Sequence, residues 1–255
     1  MNTVPAGKPL ASPFVAIVGY TLRACLPLKR WFGVLLPCAG ALLFGLLATV
    51  IDDSPEEAFS SVAANGLFGL ILPLTCLVIG DAVLGADVRA GTFQLTWLSP
   101  TSFATIAVGR WLGGWLVALV TLVPALVLST VMAGVADSAA GPMAVAGAAG
   151  SAAYVALFLM LGVLVRRSAV WSLGVVLLGE RLLGANLTGI AQLSPLWEAQ
   201  QTFAGLWDYG DYWDLERSGM PAGWSAVVRL ALVTAVCLLV TTWRLAHMSP
   251  HTGDD

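Results

Sequence analysis

Residues 59–111, FSSVAANGLFGLILPLTCLVIGDAVLGADVRAGTFQLTWLSPTSFATIAVGRW, decide the fold. The part through Gly80 carries no charge and is long enough to cross a hydrocarbon core of about 30 Å as a helix, which takes about 20 apolar residues. Polar and charged positions then appear, among them Asp87, Arg89 and Arg110, before a second apolar run opens at Trp111. Two lipid-embedded rods joined by a short polar finger is the arrangement this pattern predicts.

The remainder of the chain repeats the theme. Of 255 residues 58% are hydrophobic and 11% charged, against about 25% charged in an ordinary soluble domain, which excludes a water-soluble globule. Spans are predicted at 31–51, 59–80, 111–134, 143–165, 168–187 and 225–243. The fifth is the least regular, because Glu180 and Arg181 interrupt it after twelve uncharged residues. The expected fold is therefore an all-α integral membrane domain covering 1–255, with six transmembrane helices. Before the first span, residues 14–26 are apolar but too short to cross. An interfacial helix within 12–29, ended by Pro27, is expected there, with a structureless lead-in as the alternative.

Charge sets the orientation. Lys8, Arg23, Lys29, Arg30, Arg89, Arg110, Arg166, Arg167 and Arg244 fall on one side of a six-span chain. Basic loops stay cytoplasmic, so both termini and the finger are expected inside the cell. The opposite loops hold Asp52, Asp53, Glu56, Glu57, Asp137, Asp208, Asp211, Asp214 and Glu216, with Arg217 their one basic member. The acids at 208–216 lack the spacing of an EF-hand loop. Cys25, Cys38, Cys76 and Cys237 lie in apolar runs without metal-ligand spacing, so packed or lipid-facing thiols are expected. Pro73 and Pro124 are expected to kink the second and third spans. The small residues Gly147, Gly150, Ser151 and Ala152 offer a face for a close helix contact.

Within the finger, 86–100, Gly91 and Thr92 suit a helix start. The turn at 99–102, SPTS, suits the end of that helix and the cap of the next. Phe93, Leu95, Trp97 and Leu98 give it an apolar side; Asp87, Arg89, Gln94 and Thr96 leave polar groups for a partner or for water.

In order, Asp87, Arg89, Gly91, Thr92, Gln94, Leu95, Pro100, Gly109 and Arg110 resemble the signature of permease subunits of type-2 ABC exporters, in particular drug and antibiotic exporters. Asp87 and Gln94 stand where glutamate is common in that family, so this finger carries less charge. An interfacial helix, six spans, inside termini and a long outer segment before the last span agree with the family's topology. The resemblance implies that the finger is a coupling helix docking on a cytoplasmic ABC ATPase subunit, that a second permease copy or a paralogous permease completes the export path, and that the assembly sits in a bacterial plasma membrane. It implies no cofactor on this chain, with ATP and Mg bound by the partner ATPase, and no nucleic-acid role. The chain's only lysines, Lys8 and Lys29, lie outside any phosphate-binding loop. Both histidines, His247 and His251, fall in the tail, which disfavours an intramembrane enzyme. A non-transporting scaffold or immunity subunit that binds a partner remains the rival reading.

Charges inside spans are functional candidates by default. Glu180 lies thirteen residues from Arg167, or about 20 Å of helix, and Arg229 fifteen from Arg244, or about 22 Å. An ion pair between the fifth and sixth spans is expected, shaping an outer gate or locking the two spans, while Arg181 points elsewhere and needs its own partner. The outer segment, 188–223, holds Trp197, Trp207, Tyr209, Tyr212 and Trp213. Aromatics at this level read as an interface belt; in the resembled family short re-entrant helices here close the outer mouth, which would make the same residues part of a lid.

Overall fold

A computed structural model describes residues 12–25, 28–51, 54–85, 101–165, 168–186, 188–207 and 220–247, and every described element is helical. In chain order these are α1 (Pro13–Cys25), α2 (Leu28–Ile51), α3 (Pro55–Val62, widened to π geometry over Ala63–Ile71, α-helical again over Leu72–Gly80 and π over Asp81–Gly85), α4 (Phe103–Met132) and α5 (Ala136–Leu164). They are followed by α6 (Ser168–Gly174, π over Val175–Leu183, then Gly184–Asn186), α7 (Thr188–Ala191), α8 (Pro195–Leu206) and α9 (Trp224–His247). Five of these are long and apolar enough to cross a membrane: Val34–Ile51, Pro55–Val83, Phe103–Met132, Ala136–Leu164 and Trp224–His247. The chain is thus a multi-pass helical membrane protein.

Three predicted boundaries move outward, each for a local reason. α3 begins at Pro55, where proline at the first helical position has no N–H to leave unsatisfied. α4 begins at Phe103 rather than 111, because the Ser102 hydroxyl accepts from the Thr105 amide at 3.2 Å and caps the helix. This is the cap expected of the SPTS turn. α5 begins at Ala136, seven residues before the predicted start, after a tight turn through Gly134 at φ 77°. The first two boundaries also shift: α1 spans 13–25, and α2 opens at Leu28. Proline acts differently in the two predicted kinks. The wide π turn of α3 ends just before Pro73, whose ring would otherwise press on the carbonyl four residues back. α4 continues as an α-helix through Pro124.

The fifth predicted span is not among these five: residues 168–186 are helical, and the apolar stretch within them, Val170–Glu180, is shorter than the five spanning helices. Within 188–223, where short helices are expected before the last span, α8 is a helix whose Leu196, Ala199, Gln201 and Phe203 are buried.

Helix packing follows from small residues. A Cβ on Gly109 would stand 2.9 Å from Ile17 Cγ2, and one on Gly113 would stand 2.7 Å from Thr21 Cβ. Two glycines four apart thus make the groove in which α1 lies against the start of α4. Gly45 touches the backbone of Ser129, bringing α2 and α4 together near the other end. Gly150, the midpoint of α5, meets Ala199 of α8 and Leu72 of α3, so the small-residue face of the fourth span receives α8. All four cysteines are buried. Cys38 donates to the Thr121 carbonyl at 3.6 Å.

The last helix shows the two environments most clearly. Ala226, Leu230, Thr234, Cys237, Thr241 and Leu245 are buried at helical spacing. Between them Trp224, Val228, Leu232, Val236, Leu239 and Trp243 are exposed, a lipid-facing stripe for a helix in a bilayer. Thr234 and Thr241 donate to the carbonyls of Leu230 and Cys237, which satisfies their hydroxyls inside the helix. Near its start, the Gly223 amide donates to the Gln201 carbonyl at 2.9 Å, and the backbones of Gly205 and Gly223 are in contact. A methyl at Gly205 would collide with the Gly223 amide nitrogen. Gly205→Ala is expected to separate α8 from α9 and lower stability by about 1–3 kcal/mol, checked by thermal unfolding in detergent.

Candidate functional site

Two clusters of polar side chains stand out among the described residues. One forms the base of the finger. The finger itself, with Asp87, Arg89, Gly91, Thr92, Phe93, Gln94, Leu95, Trp97 and Pro100, lies outside the described residues. What the structure gives is the anchorage of its two ends, Asp81–Gly85 at the close of α3 and Ser102 at the head of α4.

Arg110 is the hub of that anchorage. It enters with the family signature as a basic residue at the mouth of a span, yet its side chain is buried. A guanidinium Nη1 donates to the Val83 carbonyl, one of the last carbonyls of α3, and the charge lies 5.1 Å from the Tyr20 ring centre on α1. A cation at a helix C-terminus meets the negative end of the macrodipole, and an aromatic face adds a second favourable contact. Helices α1, α3 and α4 are therefore tied at one side chain, next to the end of α3. Trp111 and Trp115 stack with ring centres 5.4 Å apart. Their indole N–H groups donate to the Ala152 and Ala148 carbonyls of α5, adding the fourth helix to the same platform. Arg110→Leu is expected to loosen α1 from the finger base and to cost about 2–4 kcal/mol, from one hydrogen bond to a charged donor and one cation–π contact. Faster proteolysis within α1 of the purified chain checks it.

The second cluster surrounds α8. Glu180, on the π-widened part of α6, is buried, and donors converge on it. Tyr154 of α5 donates to Oε2, the Ser194 hydroxyl to Oε1 at 2.8 Å, and the Leu196 amide to Oε1 at 3.4 Å. The Glu180 main-chain carbonyl accepts from Trp197 Nε1 at 3.1 Å. Ser194 and Leu196 flank the start of α8, so the carboxylate sits at a helix N-terminus, where exposed amides and the macrodipole favour negative charge. This is why a carboxylate is tolerated so deep in an apolar bundle.

The expected Glu180–Arg229 pair does not form. Arg229 instead pairs with Glu198 of α8, Nη1 to Oε1 at 3.6 Å. α8 packs against α9 and supplies the nearer acid. The Arg181 side chain lies outside the described residues. Glu198 escaped the sequence reading because it stands in a segment taken as exterior; its one signal was an acid in the first turn of a helix opened by Ser194-Pro195. Gln200 was missed for the same reason, and its Nε2 donates at 2.8 Å to the Ala64 carbonyl in the π-widened stretch of α3. A π turn leaves carbonyls off the regular ladder and open to such a donor.

The outward half of α8 is aromatic. Phe203 and Trp207 pack at 5.0 Å between ring centres, Phe59 meets both edge-on at 6.2 and 6.1 Å, and Phe68 approaches Phe203 at 5.7 Å. Trp207 Nε1 donates to Ser138 Oγ at 3.0 Å. Trp207 is thus a core residue that fastens α8 to α3 and α5, not a member of a surface belt; Tyr209, Tyr212 and Trp213 lie outside the described residues. No family model matches the chain, and comparison with curated proteins gives no match.

Proposed function

We propose that the chain is the membrane-spanning permease subunit of an ATP-driven ABC exporter, moving an amphipathic or hydrophobic substrate out of the cell with energy from a separate ATPase subunit. The observation that carries the reading is the ordered signature from Asp87 to Arg110, whose last two residues do the joining at the finger base: Gly109 receives α1, and Arg110 ties α1, α3 and α4. A force applied to the finger reaches three helices at once through that point.

Topology supports the same reading. α6 leaves the finger end after Leu164 and reaches Glu180 beside Tyr154, near the middle of α5. The chain returns to Glu180 at Ser194, and α8 then runs outward from Ala199 at Gly150 to Trp207 at Ser138. We count α6 as the fifth crossing and α8 as a re-entrant helix, giving six crossings with α1 and the end of α9 on the finger side. The segregation of basic residues supports the cytoplasm for that side, and the resemblance supports a bacterial cell. A single six-helix unit is too small to enclose a path, so two permeases pair across it. α8, with its aromatic plug, closes the far end of each.

Co-expression with an ABC ATPase encoded beside the gene tests the proposal. The expected result is co-purification and faster ATP hydrolysis when the permease is present. A chain that co-purifies with a partner of another kind and leaves hydrolysis unaltered would support the scaffold or immunity reading instead.

A further inference from the structure

Two glutamates are buried inside the bundle, and they are held in opposite ways. Glu180 has three donors on its carboxylate, as an ionised acid in an apolar interior requires. Glu198 is 0% exposed, and among the described residues no hydrogen bond reaches either oxygen. Among the described residues its countercharge is Arg229, 3.6 Å away, beyond hydrogen-bond distance, with 38% of its side chain exposed.

The other charged and titratable groups on the elements packed against α8 are engaged or distant. Tyr154 of α5 and Glu180 of α6 bond to each other at the first turn of α8. Asp137 is exposed at the opposite end of α5, and Glu56 and Glu57 lie at the start of α3. An ionised Glu198 would be a charge withdrawn from water without the donors that repay the withdrawal. A proton needs no cavity, removes the charge in place and leaves a neutral carboxyl that apolar neighbours accept.

We propose that Glu198 is a proton-binding site, its buried carboxyl held uncharged where α8 meets α9. It holds the proton while α8 is seated. When the O–H bond breaks, the proton passes to water at the far end, and the carboxylate left behind favours water and Arg229 over the bundle interior. The site does not depend on the exporter reading, since it needs only the burial of α8.

Infrared spectroscopy of the full chain in lipid nanodiscs tests it directly. At neutral pH a protonated-carboxyl C=O band is expected, absent from Glu198→Gln and retained in Glu180→Gln. The same band undiminished in Glu198→Gln would overturn the proposal. Glu198→Gln, which mimics the neutral acid, is expected to fold with unchanged yield and to have an unfolding temperature that stays level with pH, while that of the wild type falls as the pH is raised. Arg229→Ala provides an independent measure: unchanged stability near neutral pH agrees with a neutral Glu198. A large loss, or failure of Glu198→Gln to assemble, shows an ionised pair and contradicts the proposal.

Discussion

Gly91→Trp is expected to reduce export to the level of vesicles lacking the ATPase, while the chain still inserts, pairs and binds nothing less tightly in the membrane. The described contacts at that end of the bundle run through Arg110, Gly109 and Ser102. A bulky indole at position 91 leaves those contacts in place and is expected to spoil a surface offered to a partner. Transport assays in inverted vesicles, with ATP hydrolysis followed in parallel, check it. Hydrolysis should continue without export. Unchanged export would remove the finger from the mechanism.

Glu180→Ala is expected to produce the second large effect, on stability rather than on turnover. The change strands the Tyr154 and Ser194 hydroxyls and removes the acid from the first amides of α8. Leaving buried partners of a charged group unsatisfied costs about 3–5 kcal/mol. Folded yield and unfolding temperature in detergent should both drop. Glu180→Gln should recover part of the loss, because hydroxyl groups can turn to accept from the new amide. Export per assembled complex should be preserved in Glu180→Gln, which would identify Glu180 as a lock for α8. Normal yield with lost export would make it a transport residue instead.

The parts of this fold that were legible in the sequence are those that lipid dictates. Long uncharged runs produce spanning helices because no other single segment satisfies its own backbone in a bilayer. So α2, α3, α4, α5 and α9 could be read with errors of up to eight residues at their ends. The errors came where a cap or a proline extends a helix past its apolar part, as Ser102 and Pro55 do. The packing of the segment around α8 was illegible for a different reason. Hydropathy treats Glu180 and Glu198 as signs of water, whereas α8 is buried by Phe203, Trp207 and the small face of α5, which are contacts distant in sequence. The Arg229 partner was mistaken for the same cause: depth along two helices was computable, but a nearer acid from a third element was not. Arg110 shows the converse case. Its position was evident from the family signature, while its task, holding α1 and α3 together, depends on Val83 and Tyr20 and appears only in the folded chain.

A photo-crosslinking residue placed at Trp97, in cells that also make the neighbouring ATPase, tests the central claim most directly. The account predicts a covalent adduct between the finger and the cytoplasmic ATPase, and none from the same probe at Trp224 on the far end of α9. Labelling of position 97 by a membrane-impermeant reagent added outside intact cells, with no ATPase adduct, would contradict it.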